Sequence, residues 1–242
     1  MSLFRPFSPA DLGFVQRMIT ARRSFARETD ILRVGELGGG PYTLWDGWAY
    51  LYHELPGGDG APRRQILEVL LPGDVFGVGV ALTGRVGNPV RALTASIVCV
   101  HDQRVFSRMF TERPELAFGL METMARDAER TYGRLAVIGQ SPGPQRIAHL
   151  ILEIWHRLAQ RDPALQPAAG REVRVPFPLQ RRHLAAALGM SGTHVARSLA
   201  KLAGQGLARL QPDMLMILDP AALCQYCGYD PMPDEVGRRV ML

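Results

Sequence analysis

The sequence predicts an α+β protein with a β-rich N-terminal domain, one long helix, and a C-terminal domain of short helices and a hairpin. Residues 31–106 consist of short alternating or β-branched runs separated by Gly, Pro, Asn and Asp, which is typical of a β sandwich or barrel. The hydrophobic period becomes helical from Arg113. An extended run, two short helices and two short strands then follow between residues 171 and 218.

Length and composition support more than one domain. With 242 residues, 47% of them hydrophobic, the chain is long enough to bury two cores. No run approaches the roughly 18 apolar residues that a bilayer-spanning helix needs, and "MSLFRPFSPADLGF" lacks the apolar core of a signal peptide. Cys99, Cys224 and Cys227 are too few for a disulfide framework. We therefore expect a cytoplasmic protein.

The N-terminal third is expected to begin with a helix and continue as strands. Residues 11–25 have the composition of a short helix. Residues 48–52 and 65–70 read as the two strands of a hairpin, because "LPGGDGAPR" between them is rich in Gly and Pro.

A helix is predicted from about residue 113 to about residue 138, with Pro114 in its first turn. Small and apolar residues alternate spacings of four and three along it, which is the seam pattern of a coiled coil. These are Ala117, Met121, Met124, Ala128, Thr131, Leu135 and Ile138. We expect two copies of this helix to pair. The alternative is an amphipathic helix lying on its own domain, and Gly119 and Gly133 weaken a free-standing rod.

Two prolines in "SPGPQ", residues 141–145, predict a hinge after the long helix. A second helix, "RIAHLILEIWHRLAQRD", then opens the C-terminal domain, and "REVRVPFPL" follows as a strand.

The stretch "HLAAALGMSGTHVARSLAKL", residues 183–202, predicts two helices joined by a tight turn. Gly189 can adopt the left-handed conformation, Met190 can close the junction, and Ser191 can cap the second helix. In that helix Thr193 and Arg197 point away from the apolar face formed by Val195, Leu199 and Leu202. Such a helix fits a DNA major groove, where Arg can bind guanine O6 and N7 together. A simple αα-hairpin is the alternative.

Positive charge surrounds this pair of helices. Seven basic residues and one acidic residue lie between Arg171 and Arg209, which favours a polyanionic partner. Arg181 and Arg182 fall in the first turn of a helix, where cations oppose the helix dipole unless a phosphate binds nearby. Two solvated arginines are the alternative. Strands at about 207–210 and 214–218 around "QPDM" predict a wing that carries Arg209.

From about residue 15 to 230 the chain resembles the Crp/Fnr superfamily of bacterial transcription regulators. The segments that carry the resemblance, in order, are "GWAYLYHEL", "RRQILEVLLPGDVFG", "ALTASIVCV", "QRIAHLILEI", "FPLQRRHLAAALGMSGTHVARSLAKL" and "GLARL...MLMILDP". The resemblance implies a double-stranded β-helix (jelly-roll) sensor domain at 1–112, a dimerisation helix at 113–140, a winged helix-turn-helix at 141–230 and a tail at 231–242. It also implies a homodimer on a palindromic promoter site, RNA polymerase as a partner, no membrane association and no enzymatic activity.

Carried onto this chain, the resemblance assigns base reading to Thr193, His194 and Arg197. Ser191 is the helix cap, and we expect it to contact the DNA backbone together with Arg181, Arg182, Lys201 and Arg209. Gly192 stands where several members of the family carry a base-reading residue, so the half-site is not predicted. Gln180–His183 replace a frequent Thr cap and acidic residues, which leaves the capping of the first helix open.

The sensor domain departs from members that bind cyclic nucleotides. Those use a Gly-Glu pair and an Arg-Ser pair, whereas here Gly77 is followed by Val78, and Asn88 and Pro89 replace the second pair. Val78 cannot accept from a ribose hydroxyl, and Pro89 has no donor for a phosphate. Arg85 or Arg91 can substitute if the alignment shifts. The candidate effector pocket is Gly77, Val78, Asn88 and Arg91, with an unknown small-molecule effector other than cyclic AMP.

No cofactor is predicted, although haem remains open. An all-cysteine iron–sulfur cluster needs four ligands, and no cysteine precedes Cys99. The pair Cys224 and Cys227 lacks a second pair for zinc, so we expect packing, with a thiol switch or an intersubunit metal as alternatives. His53, His101, His149 and His156 are scattered.

An enzyme is the competing class of function. A metal-dependent enzyme of the cupin type would use an H-x-H pair, which the β segment lacks, and "GELGGG" at 35–40 lacks the strand and helix of a phosphate loop. We therefore predict no catalytic or metal-ligating residues. A cupin-type enzyme and a haem- or redox-responsive regulator are kept as alternatives.

Overall fold

The computed structural model describes residues 8–37, 39–57, 62–166 and 172–230. Contacts divide the chain into two compact units. The first contains the chain up to Glu54 together with Leu67–Glu129, and the second contains Leu55–Ile66 and the described chain from Arg130 onward. None of the described helices is both long and apolar enough to cross a membrane.

The N-terminal unit begins with helix α1 (Pro9–Met18), which is capped by Ser8. Eight strands follow, namely β1 (Ile19–Phe25), β2 (Asp30–Leu32), β3 (Tyr42–Asp46), β4 (Ala49–Leu55), β5 (Arg63–Leu70), β6 (Val75–Phe76), β7 (Val90–Ala92) and β8 (Ser96–His101). Helix α2 (Val78–Thr83) lies between β6 and β7, and helix α3 (Gln103–Glu112) follows β8.

These strands form two four-stranded sheets, ordered β1-β8-β3-β6 and β2-β7-β4-β5. Residues of both sheets share one apolar core, among them Leu44 of β3, Val90 of β7 and Val98 of β8. The predicted β sandwich or barrel is therefore confirmed, and β4 and β5 are neighbours as the predicted hairpin requires.

The predicted helix at 11–25 is wrong in its second half. The chain leaves the helix after Met18, and Ile19–Phe25 pairs antiparallel with β8. A partner strand supplies backbone hydrogen bonds that local propensity does not foresee. Arg22 of this strand stacks on Trp45 at 4.2 Å.

Helix α4 (Pro114–Gln140) matches the predicted long helix, and α5 (Gly143–Arg161) starts directly after the predicted hinge. A short 3-10 turn (Pro163–Leu165) and β9 (Val173–Pro176) lead to α6 (Arg181–Leu188) and α7 (Gly192–Gly204). The hairpin β10 (Ala208–Gln211) and β11 (Met214–Ile217) and helix α8 (Pro220–Cys227) complete the described chain. The sheet order β10-β11-β9 confirms a wing beside the two short helices.

Candidate nucleic-acid interface and effector pocket

The turn between α6 and α7 has the geometry predicted from its glycine. Gly189 lies at φ 62° and ψ 37°, in the left-handed region that favours glycine. Met190 is buried and its backbone N–H donates to Ala185 O at 3.1 Å. The Ser191 hydroxyl accepts from the His194 N–H at 3.2 Å, which caps α7. The chain therefore passes from α6 to α7 within three residues.

Helix α7 has a buried back and an exposed ridge. Val195, Ser198 and Leu202 are buried against the domain, while Thr193 and Arg197 are exposed on the other side. The structure thus brings together the two outward residues that helical periodicity selected.

His194 has a contact that the sequence did not indicate. Although the residue is exposed, its Nε2 lies 2.5 Å from the place where a Cβ would stand on Gly143 at the start of α5. Met190 Cε and Ser198 Oγ approach the same position to 2.8 and 2.9 Å. Helices α5 and α7 therefore pack so closely that a side chain at residue 143 would require the His194, Met190 and Ser198 side chains to move.

Exposed basic side chains surround the ridge. Arg181, Arg197, Lys201 and Arg209 are exposed, and within the described chain none of them forms an ion pair. Arg182 is also exposed. Unneutralised cations on one domain favour a polyanionic partner.

The structure also resolves how α6 begins. His183 is buried, and its Nδ1 accepts from the backbone N–H of Gln180 at 3.0 Å. The histidine at the third helical position thus satisfies the backbone N–H of Gln180, the residue that precedes the helix.

The wing presents its arginine at the edge of the sheet. Arg209 pairs with Met216 in the β10–β11 register, and the turn between the strands contains Asp213 at φ 54°. Aspartate is among the few side chains that tolerate this backbone region, so the tight turn needs no glycine.

Each of the residues predicted for the effector pocket contacts protein groups in the described chain. Arg91 is occupied by carboxylates: its Nη1 lies 2.8 Å from Asp30 Oδ1 and its Nε lies 3.3 Å from Glu28 Oε2. Asn88 Oδ1 lies 3.1 Å from His53 Nδ1. Gly77, at φ 70°, packs against the Tyr42 ring, and Val78 packs beside the α1–α3 core.

A cavity of about 90 Å³ lies beside Gly77 in the N-terminal unit, because Tyr42 and Leu32, the side chains nearest to that glycine, line it. Apolar side chains of β1, β2 and β8 line it, together with Tyr42, Val86, Arg23 and Glu36. It is smaller than the roughly 150 Å³ cavity that accommodates benzene in an engineered protein core.

Helix α4 exposes most of its predicted seam. Met121, Met124 and Leu135 are exposed, Met121 by 58% and Leu135 by 62%. Phe118 and Tyr132 extend this apolar face. Ala117 is an exception, because it is buried with Leu116 in the core between α1, α3 and α4. The first seam position therefore serves the N-terminal unit, and the outward face begins one turn later.

The C-terminal cysteines lie on α8 beside an aromatic cluster. Tyr229 lies between His149 and His156 of α5, with ring centroids 5.0 and 5.2 Å away. Burial raises the pKa of the Cys224 and Cys227 thiols, the latter to about 11, which disfavours the reactive thiolate. Among the described residues, no group of three or more His, Cys, Asp or Glu side chains is placed to hold a metal.

Sequence reasoning missed the groups that join the helices. Gly143 was visible only as part of a hinge, since its close neighbours come from residues about fifty positions later. Arg134 and Glu153 form a buried ion pair that no spacing rule indicates. In the sequence, the signal for this ion pair is Glu153, a charged residue among the apolar residues of α5.

The fold and the exposed ridge together define a helix-turn-helix protein with a β-roll of the kind that binds cyclic nucleotides in other proteins. Profiles of two families match, the cyclic nucleotide-binding domain at residues 22–113 and the Crp-like helix-turn-helix domain at 145–226.

Curated relatives refine this class. The chain is 31% identical to the nitrogen fixation regulation protein FixK of Bradyrhizobium diazoefficiens over 180 residues, covering 74% of this chain and 70% of that protein. It is 26% identical to the transcriptional activatory protein AadR of Rhodopseudomonas palustris, covering 88% and 83%. The chain belongs to the Crp/Fnr family of transcription regulators.

Solved structures agree on the fold. FixK2 from Bradyrhizobium japonicum superposes with a TM-score of 0.71 at 22% identity, covering 85% of this chain and 96% of that one. CooA from Carboxydothermus hydrogenoformans gives 0.67 at 14% identity, covering 92% of each chain. The relatives are regulators and not enzymes, so the cupin-type alternative is not favoured.

Proposed function

We propose that the protein is a homodimeric, sequence-specific DNA-binding regulator that acts on a palindromic promoter site in the cytoplasm, with RNA polymerase as its further partner. The observation that carries the proposal is the exposed Thr193–Arg197 ridge on a helix whose back is buried. Two such helices related by a dimer axis enter successive major grooves about 34 Å apart.

Side chains of the proposed interface divide into two groups, those that contact base edges and those that contact the sugar-phosphate backbone. Thr193, His194 and Arg197 read base edges, with Arg197 placed to bind guanine O6 and N7. The residues that hold the sugar-phosphate backbone are Arg181, Arg182, Ser191, Lys201 and Arg209. Their positive charges fix register and affinity but carry no sequence information.

The dimer forms through α4. The helix exposes several large apolar side chains between Met121 and Leu135, and contiguous exposed apolar surface of this kind marks an interaction site. The spacing of these residues matches the seam between two paired helices. In this assignment residues 1–112 are the sensor domain, 113–140 the dimerisation helix, 141–230 the DNA-binding domain and 231–242 a tail.

The signal is a small molecule or condition other than cyclic AMP. One relative, from Mycobacterium tuberculosis, is named a cAMP-activated global regulator and is 25% identical over 202 residues. In this chain Val78 and Pro89 lack the required acceptor and donor, and Arg91 is already paired with Asp30 and Glu28. Calorimetric titration with cyclic AMP is expected to show no binding, and micromolar affinity would overturn this part of the proposal.

Base reading is tested on a palindrome selected from a random DNA pool. Arg197→Ala is expected to cost about 1 to 3 kcal/mol on the selected site and little on scrambled DNA. Arg182→Ala should weaken both DNAs alike and lower the salt slope by about one. Arg108→Ala on α3 is the matched control. Equal losses on both DNAs for Arg197→Ala would remove its base-reading role.

Dimerisation is tested by sedimentation. Leu135→Glu places a charge on the proposed seam and should raise the dimer dissociation constant by about 100-fold or more, an effect of roughly 3 kcal/mol. Leu82→Glu is the control, because Leu82 is equally exposed but lies on α2. If both variants remain dimeric, another surface joins the protomers.

A further inference from the structure

A buried ion pair joins the end of α4 to the middle of α5. Glu153 is 2% exposed and Arg134 is 6% exposed. The guanidinium binds the carboxylate through two hydrogen bonds, from Nη2 to Oε1 at 2.5 Å and from Nε to Oε2 at 3.2 Å. A bidentate pair of this kind fixes the orientation of both planes as well as their distance.

The surroundings keep Glu153 charged. Burial raises the pKa of Glu153, but the guanidinium groups of Arg134, Arg157 and Arg130 together bring this pKa below its ordinary value. Around this carboxylate, α5 also contributes His149, and Tyr229 follows α8. The carboxylate therefore stays ionised and the pair persists at neutral pH.

Stability alone is a weak reason for such a pair. Removing two charges from water costs several kcal/mol per ion, and apolar residues of similar volume often serve a core equally well. What an apolar contact lacks is directionality. The pair's distinctive contribution is therefore to orient one helix on the other.

The chain between the two residues makes orientation necessary. Helix α4 ends at Gln140 and α5 begins at Gly143, with only Ser141 and Pro142 between them. Arg146 Nε donates to Ser141 O at 2.7 Å and orders the junction locally. Arg134 lies between one and two helical turns before the end of α4, and Glu153 lies between two and three turns after the start of α5. At this distance from the junction a rotation of one helix on the other would separate the two groups.

Helix α5 transmits its direction to the DNA-reading helix. At Gly143 it packs directly against the side chains of Met190, His194 and Ser198. Closely packed interiors have low compressibility and transmit strain from one element to the next. The direction of α4 relative to α5 therefore sets the direction of α4 relative to α7.

We propose that Arg134 and Glu153 are positioning residues that determine which half-site spacing the dimer accepts. The inference rests on the proposed function, because only a dimer held through α4 has two recognition helices whose separation depends on this angle. Neither side chain contacts DNA in this scheme. They act through α5 and α7.

The test uses Arg134→Met/Glu153→Met, which keeps side-chain volume and removes both charges together. Binding is measured on palindromes whose half-site centres are at the selected spacing or one and two base pairs from it, and on a single half-site. We expect the native protein to bind the palindrome of one spacing about tenfold or more tightly than the others. For the double variant this ratio of affinities should fall to about threefold or less, while its affinity for the single half-site stays unchanged. Arg108→Met/Glu112→Met, an exposed pair within α3, should keep the native profile.

Each outcome decides the inference. A native spacing profile in the double variant overturns it, and so does a parallel loss of half-site affinity, which indicates general damage to the domain. If the double variant does not fold, Glu153→Gln is measured in its place. The inference then requires that Glu153→Gln reduce the preference for one spacing to about threefold or less. A native protein that binds a single half-site but no palindrome preferentially refutes the proposed dimeric function, and the inference falls with it.

Discussion

The exposed arginines around α6, α7 and the wing differ from Arg91 of the N-terminal unit in whether a carboxylate holds them. Around α6, α7 and the wing, Arg181, Arg197 and Arg209 are exposed and form no ion pair with described residues. In the sensor unit Arg91, which the sequence offered as a phosphate ligand, is held by Asp30 and Glu28. Charges left unpaired are available to a partner, whereas paired charges serve the fold.

This contrast explains why individual side chains can be proposed for DNA binding, whereas none can be proposed for binding the effector. The recognition ridge is composed of positions within one turn of a single helix. In the N-terminal unit, by contrast, the cavity of about 90 Å³ is lined by residues far apart in sequence. The difference predicts that polar substitutions will affect stability in the sensor unit and binding in the DNA-binding unit.

The largest effect is expected from pH. Burial lowers the pKa of His101 to about 4, and its Nε2 lies 2.7 Å from Thr43 Oγ1. The pKa of His101 is lower in the folded protein than in the unfolded chain, so protonation of His101 favours unfolding. The free energy of unfolding is therefore unaffected by His101 above about pH 6.5 and falls as the pH is lowered, by about 3 kcal/mol near pH 4. Urea unfolding near pH 7 and near pH 5 should show a smaller loss for His101→Gln than for the native protein. The exposed His53→Gln is the control, and equal slopes in all three proteins would contradict the assignment.

The paired arginine of the sensor unit comes next. Arg91→Ala is expected to lower the free energy of unfolding by about 2 kcal/mol, because Asp30 and Glu28 lose a charged donor in a partly buried site. DNA affinity per folded molecule should not change. Arg85→Ala, an exposed arginine a few residues away, should be nearly neutral. An unaltered stability for Arg91→Ala would mean that its charge is free for a ligand after all.

The contact between α5 and α7 should respond more modestly. Gly143→Ala forces the His194, Met190 and Ser198 side chains to move and should cost about 1 kcal/mol of stability. Gly139→Ala on α4, where a Cβ meets open space, should instead stabilise by roughly 0.5 to 1 kcal/mol. Thermal unfolding of the two variants measures the difference, and identical transitions would show that the junction is loosely packed.

The smallest stability effect is expected on the wing. Arg209→Ala should change the free energy of unfolding by less than about 0.5 kcal/mol and reduce the salt slope of DNA binding by about one. Chemical unfolding and titrations at two salt concentrations test both statements. A stability loss as large as that of Arg91→Ala would erase the contrast between the two units.

Local rules predicted the DNA-binding unit well and the sensor unit only in outline. Gly189, Ser191 and the outward direction of Arg197 follow from backbone conformation and the 3.6-residue period, which depend on neighbours within one or two turns. Residues 19–25 were misassigned as helix because their partner strand lies some eighty residues later. Likewise, nothing near Arg91 in the sequence indicated that Asp30 and Glu28 would occupy it.

The sequence by itself determined the order of the parts, the break between α6 and α7 and the exposed ridge of α7, because each depends on short-range periodicity and on the special conformations of Gly and Pro. Only the tertiary structure decided which arginines are free, how closely α5 approaches α7 at Gly143, and that Arg134 meets Glu153 across the hinge. Those features depend on distances between segments remote in the chain, and such distances exist only once the cores have packed.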